Sequence, residues 1–266
     1  MQKLKRVLLV LSSLFILITI MFYTFQEKLI FLPTQLPSDY AYSFDQPFEE
    51  LFLEAPDGAQ LNALHFKVNN PKGLVLYFHG NAGDLSRWGS IGSTFTNLGY
   101  EIVVMDYRGY GKSSGERSEA VLYADAQLFY DHVKGIYDES QIVLYGRSLG
   151  TGIASHLASN NTPKKLILET PYYSLVDVAK GRFPILPVGQ MLRYRLPSFQ
   201  YLKSVQAPIR IFHGTEDRVV PYESGKKLFE SIPKSDKKMY TIPGGRHNDL
   251  EGFEIYKNGL KSELTD

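Results

Sequence analysis

The chain has no cysteine, and that absence removes several chemistries at once. Disulfides, a thiolate nucleophile, zinc sites built on Cys and lipidation through Cys are excluded. The redox compartment stays open, because reducing and oxidising spaces both tolerate a Cys-free chain. A charge excess is also missing. Lys+Arg total 29 against 28 Asp+Glu, a formal net charge of +1. The basic footprint of a typical nucleic-acid binder is therefore absent, and no nucleic-acid partner is expected. There is no low-complexity tract, no charged tail and no internal repeat at a fixed period. What remains is a 266-residue chain, 44% hydrophobic and 21% charged. That is an ordinary globular mix, at a length suited to one α/β domain with additions.

Charge is lacking in one place above all. Val7–Phe25 is a run of 19 uncharged residues, roughly 28 Å long as a helix and close to the hydrocarbon thickness of a bilayer. Lys3, Lys5 and Arg6 precede it. A cleaved signal peptide has an apolar stretch of about 7–15 residues and a small-x-small cleavage site. Here the exit is Tyr23-Thr24-Phe25-Gln26-Glu27, with no such site. Residues 1–27 are therefore expected to be a signal anchor that partners the lipid bilayer through residues 7–25. The basic residues ahead of the span place the N-terminus in the cytoplasm and the body on the far side. Residues 28–47, with Pro33, Pro37 and Pro47, read as an extended connector that packs on the body, and 48–266 as one domain.

In that domain short apolar runs alternate with amphipathic ones. Strands are expected at Glu50–Glu54, Gln60–Val68, Leu74–Phe78, Ile102–Asp106, Ile142–Tyr145, Leu166–Glu169, Ile209–Phe212 and Lys238–Thr241. The middle runs are almost continuously apolar, as strands covered on both faces are. Asp57-Gly58 marks a hairpin between the first two. Helices are expected at Leu85–Asn97, Ala120–Lys134, Leu149–Ser159, Tyr222–Ile232 and Leu250–Leu260. The order predicts an α/β fold, a mostly parallel eight-stranded sheet with helices on both faces. Residues 171–202, with Pro184, Pro187 and Pro197, break the alternation and read as a short lid insertion over the strand ends.

Ligands of open parallel sheets bind at the carboxyl ends of strands. Four strand ends carry chemistry. Ile142–Tyr145 leads into Gly146-Arg147-Ser148-Leu149-Gly150, a G-x-S-x-G between a strand and a helix. A serine on so sharp a turn projects its oxygen above the sheet, and Gly146 and Gly150 remove side chains that would collide across it. The pattern alone is weak, since Gly111-Lys112-Ser113-Ser114-Gly115 matches it too. Several loop residues separate Ser113 from its strand, so Ser113 is read as a loop residue. The same stretch imitates a phosphate loop but has Asp106 where that motif needs its first glycine.

After Leu74–Phe78 comes His79-Gly80-Asn81-Ala82-Gly83. Acyl transfer needs backbone N–H donors aimed at the developing oxyanion. Leu149, following the serine, and Asn81, in this loop, would supply them; His79 is read as holding the loop. After Ile209–Phe212, Asp217 is the candidate acid that orients an imidazole, its neighbour Glu216 points away, and Glu169 is the reserve. After Lys238–Thr241, His247 lies in a glycine-rich loop and is the candidate general base. His65, His132 and His156 fall in a strand or helices and read as packing or surface. Ser, Asp and His follow in the chain order of one hydrolase architecture.

The chain from about Phe48 to Leu260 resembles the alpha/beta-hydrolase superfamily, and within it the membrane-anchored bud-emergence-type and acyl-protein-thioesterase-like serine hydrolases. The shared segments are HGNAGD (His79–Asp84), DYRGYGKSSG (Asp106–Gly115), YGRSLGTG (Tyr145–Gly152), ETPYYSL (Glu169–Leu175), HGTEDRVVP (His213–Pro221) and GGRHND (Gly244–Asp249). The resemblance implies Ser148, Asp217 and His247 as a catalytic triad, Asn81 and Leu149 as oxyanion donors, and an N-terminal anchor. Arg147 would be a variable position with no more than a surface contact. The expected function is hydrolysis of acyl esters or thioesters through an acyl-enzyme, with an acyl small molecule, a lipid or an acylated protein as substrate. No cofactor and no metal is expected. A serine peptidase or amidase, and a non-catalytic scaffold on the same fold, are the alternatives. Oligomeric state is not legible.

Overall fold

The middle runs form the centre of one sheet because they are apolar on both faces, while the outer runs Glu50–Glu54 and Lys238–Thr241 carry charged residues. In the computed structural model, which describes residues 1–265, a long helix α1 (Gln2–Ile30) opens the chain. The strands follow as β1 (Leu32–Pro33), β2 (Phe48–Glu54), β3 (Gln60–Phe66), β4 (Leu74–Phe78), β5 (Ala82–Gly83), β6 (Glu101–Met105), β7 (Ile142–Arg147), β8 (Lys165–Glu169), β9 (Ile209–Gly214) and β10 (Lys237–Ile242). Eight of them form a sheet in the order β10-β9-β8-β7-β4-β6-β3-β2. The hairpin β2–β3 and the β3–β6 pair are antiparallel, and every other pairing in it is parallel. The two-residue strands β1 and β5 pair with each other in parallel.

Helices cover both faces. They are α2 (Leu85–Trp88), α3 (Gly92–Thr96), α4 (Glu119–Lys134), α5 (Gly150–Asn160), α6 (Leu175–Arg182), α7 (Val188–Met191), α8 (Ser198–Tyr201), α9 (Tyr222–Ser231) and α10 (Glu254–Thr265). Successive strand residues alternate between two cores, as the pleat requires. Leu74, Leu76 and Phe78 of β4 join α4, α5 and α9, whereas Val75 and Tyr77 join α3 and α10. Serine caps two helix starts: Ser118 accepts from Val121 N, and Ser174 from Asp177 N.

Two expectations change. The helix expected over Leu85–Asn97 is α2, a 3-10 turn at Gly89–Ile91, and α3. Gly89 lies against the Phe44 ring, where a Cβ would come within 2.3 Å of it; this contact with the segment before β2 is invisible to local periodicity. The last helix starts as a 3-10 turn at Leu250–Gly252, and α10 runs on to Thr265. The insertion holds the short helices α6, α7 and α8 in place of strands, and forms a cap over the carboxyl end of the sheet.

The turn between β7 and α5 is tight. A Cβ on Gly150 would lie 2.1 Å from the Phe78 carbonyl oxygen, and one on Gly146 would lie 2.6 Å from the Gly150 carbonyl oxygen. Both obstacles are backbone, so relief means moving β4 or α5. Gly150→Ala is expected to cost about 3 kcal/mol or more, measured as a fall in the unfolding midpoint of the detergent-solubilised chain.

Candidate active site

Ser148 is the first residue beyond β7 and adopts φ +50°. A non-glycine residue in that region is strained and is tolerated where its surroundings over-determine it. Here they do. Ser148 N donates to Glu169 O at 2.9 Å, and Thr151 donates to Ser148 O through its N (3.0 Å) and its Oγ1 (2.6 Å). The hydroxyl is thereby lifted above the sheet while the residue stays 9% exposed.

The loops after β9 and β10 bring their side chains to that hydroxyl. His247 Nε2 lies 2.9 Å from Ser148 Oγ, and His247 Nδ1 lies 2.7 Å from Asp217 Oδ2. An ionised carboxylate only accepts, so Nδ1 carries the hydrogen and Nε2 is left to accept from the serine hydroxyl. Asp217 Oδ1 accepts from Val219 N (2.8 Å) and Val220 N (2.9 Å). His213 Nε2 stands 3.3 Å from Oδ2 on the other side. Burial works against the charge of Asp217, but His213, His247 and the Val220 N–H outweigh it and hold the carboxyl well below the usual carboxylate range.

The loop after β4 is fixed by its carbonyls. Tyr107 OH donates to His79 O (2.8 Å), and Tyr110 OH (2.7 Å) and Leu32 N (2.9 Å) donate to Asn81 O. Among the described residues neither the Asn81 nor the Leu149 N–H has an acceptor within the chain. Both residues line a cleft with Ser148. His79 stays buried in the loop: Nδ1 bonds Gly80 O at 2.7 Å, and the ring lies 4.3 Å from that of Tyr107.

The remaining candidates lie elsewhere. Ser113 Oγ donates to Asp106 O and accepts from Asn62 N, tying the loop after β6 to β3. Glu216 is exposed and 3.8 Å from Arg246. Glu169 does not touch His247; its Oε2 accepts from Tyr145 OH (2.5 Å) and Tyr256 OH (3.1 Å) inside the core. Arg147 corrects the expectation of a surface contact. It is buried, its Nε lies 3.1 Å from Glu169 Oε1, Nη2 donates to Asn248 Oδ1 at 3.4 Å, and its guanidinium stands over the Trp88 ring. Its partners are 20 to 100 residues distant in sequence, so no local pattern points to them. Among the described residues no group of three or more His, Cys, Asp and Glu side chains gathers as a metal site would require.

The cleft above Ser148 has a volume of about 160 Å³ and opens to solvent. Asn81, Ser148 and Leu149 are at its floor, and the residues of the insertion form much of its wall. Phe22, Gln26, Leu29 and Ile30 of α1 line it as well, a placement the hydropathy of the run does not signal.

The family described as "Hydrolase_4: Serine aminopeptidase, S33" matches residues 69–201 and 190–251. The chain belongs to this family. Its fold is that of the alpha/beta hydrolases. Among its relatives, a Saccharomyces cerevisiae protein titled "Uncharacterized membrane protein YNL320W" is 33% identical over 211 residues, 76% of this chain and 74% of that one. The "Lysophosphatidylserine lipase ABHD12" of Danio rerio is 27% identical over 322 residues, 97% of this chain and 81% of that one. Among solved structures, the Pyrococcus furiosus esterase Pf2001 superposes with a TM-score of 0.71 at 18% identity, covering 89% of this chain and 97% of that one.

The burial of Arg147 yields a prediction about stability. Removing it leaves the Glu169 carboxylate inside the core without its cation. Arg147→Met is expected to cost about 3–5 kcal/mol in urea unfolding, and Arg147→Met combined with Glu169→Gln to cost less than the single change.

Proposed function

We propose that the chain is a membrane-anchored serine hydrolase of the bud-emergence-type branch that cleaves carboxylic esters or thioesters with apolar acyl chains, with Ser148, His247 and Asp217 as its triad. The observation that carries this reading is the hydrogen-bonded chain from Asp217 through His247 to Ser148, at the floor of a cleft walled by apolar side chains. Ser148 Oγ attacks the acyl carbon while its proton passes to His247 Nε2. Asp217 keeps Nδ1 protonated and stabilises the imidazolium. The negative charge on the carbonyl oxygen is met by the Asn81 and Leu149 N–H groups. The C–O or C–S bond then breaks, and His247 protonates the leaving alcohol or thiol. Water attacks the acyl-enzyme with His247 again taking the proton, and the acid leaves as Ser148 regains its hydrogen.

The family description raises the question of an aminopeptidase. Such an enzyme must hold a substrate ammonium group on the acyl side of its serine, which calls for a carboxylate there. Among the described residues the cleft is lined mainly by apolar side chains, with Gln26, Asn81, Tyr172 and Arg182 among them, and by no carboxylate. This favours an ester with an apolar acyl group. The name of the lipase relative points the same way.

The anchor is the run within α1, whose apolar residues are mostly exposed. Lys3, Lys5 and Arg6 favour a cytoplasmic N-terminus, so the reading puts the hydrolase body on the other side, with residues 28–47 as the connection.

A fluorophosphonate probe tests the serine. Labelling is expected in the wild type and in Ser113→Ala, and lost in Ser148→Ala, with hydrolysis of a decanoyl ester falling by about 10⁴-fold or more in the latter. Labelling that survives Ser148→Ala would overturn the assignment. The low-lying Asp217 carboxyl gives a second expectation. A depressed acid contributes fully above its unfolded value of about 4 and is lost only below it. The pH profile of kcat/KM is therefore expected to show no ionisation of Asp217 from neutrality down to about pH 4.

A further inference from the structure

The last turns of α1 carry more fixed polar contact than a tether needs. Gln26 is 1% exposed. Its Nε2 donates to Tyr23 O (2.9 Å) and Met191 O (3.2 Å), and its Oε1 accepts from Arg193 N (2.7 Å). Next to it, Glu27 accepts from Tyr194 OH at 3.1 Å and pairs with Arg193 at 3.1 Å. Phe22 meets Phe183 edge to face at 5.2 Å and joins Val188 and Leu192 in an apolar cluster of its own. A flexible link would hold the body at a membrane without any of these bonds.

The same helix end grips the floor of the site. Asn81 Nδ2 donates to Ile30 O at 3.2 Å, Leu32 N donates back to Asn81 O, and β1 pairs with β5 immediately after Asn81. One end of one helix is thus bonded both to the cap and to the loop that carries an oxyanion donor. The cleft above Ser148 is lined by Phe22, Leu29 and Ile30 of this helix together with Ala179, Phe183 and Leu192 of the cap.

Depth then matters. From Ile30 to Phe22 is eight residues, or roughly 12 Å along the helix. Phe22 lies inside the uncharged run that ends at Phe25. When that run spans a bilayer, the far end of the cleft lies at the level of acyl chains, not of headgroups.

We propose that α1 is one wall of the acyl channel as well as an anchor, that Phe22 and Leu29 set its chain-length preference, and that the acyl chain of a bilayer-resident ester reaches Ser148 along α1 directly from the hydrocarbon. Gln26 is a positioning residue that keeps the wall in place. The proposal rests on the ester-hydrolase reading and narrows its substrate to a lipid presented by a membrane. Each methylene that passes from bilayer to channel without contacting water avoids the hydration that a soluble site would demand.

The test uses the full chain in phosphatidylcholine vesicles and a ladder of p-nitrophenyl esters from acetyl to hexadecanoyl. Leu29→Trp adds bulk to the wall at a residue that is 55% exposed, so folding tolerates it. Phe22→Ala opens the far end, and Leu14→Trp places the same bulk on an exposed part of α1 away from the cleft. Leu29→Trp is expected to lower the hexadecanoyl-to-acetyl ratio of kcat/KM by about tenfold or more. Phe22→Ala is expected to shift the preferred length upwards, and Leu14→Trp to keep the wild-type ratio. Fluorophosphonate labelling of Ser148 in every variant reports that the site is intact. A uniform change at all chain lengths in Leu29→Trp and Phe22→Ala, or an equal change in Leu14→Trp, would overturn the proposal while leaving the hydrolase reading standing. A wild type that neither labels nor hydrolyses any rung would overturn the hydrolase reading, and this one with it.

Discussion

The close approach of α5 to β4 is the constraint on which the rest depends. With no side chain on Gly150, the first turn of α5 comes against the Phe78 carbonyl. The chain can reach that position only by turning sharply at Ser148, which takes φ +50°. The turn raises the serine hydroxyl, commits its carbonyl to Thr151 and leaves the Leu149 N–H facing the cleft. Because β7 is in the middle of the sheet, between β4 and β8, the loops after β4, β9 and β10 can converge on that hydroxyl. A serine on an edge strand would not have three loops within reach.

A second layer keeps these loops in register. Arg147 joins the elbow to Glu169, to Asn248 beside His247 and to the Trp88 ring. Trp88 in turn donates to Ala82 O at 2.8 Å, within the loop that carries Asn81. Buried charge is costly unless it is paired, and here each charge is held from several sides. His213 and the Val219 and Val220 N–H groups do the same for Asp217. Outside this layer, α1 and the insertion line the cleft above Ser148.

Much of this was legible before the structure. The central strands stand out because a strand buried on both faces is almost continuously apolar, and the elbow because its glycines flank a serine directly between a strand and a helix. Candidate residues could be ordered because ligands collect at strand ends. What stayed hidden depends on distant partners. Arg147 reads as a variable residue until Glu169, Trp88 and Asn248 are brought against it. Gly89, at the break, packs against Phe44, over forty residues away. Phe22 and Leu29 look like any other apolar residues of a membrane run, and only the fold of the insertion turns them into a wall of the cleft.

The central claim is that Ser148 forms a covalent acyl-enzyme. It is tested most directly by quenching the full chain within milliseconds of mixing with a long-chain ester and mapping the adduct by mass spectrometry. The account predicts one acyl group on the peptide that contains Ser148, absent when His247 is replaced by alanine. An adduct on the Ser113 peptide instead, or hydrolysis that proceeds with no adduct on any serine, would contradict it.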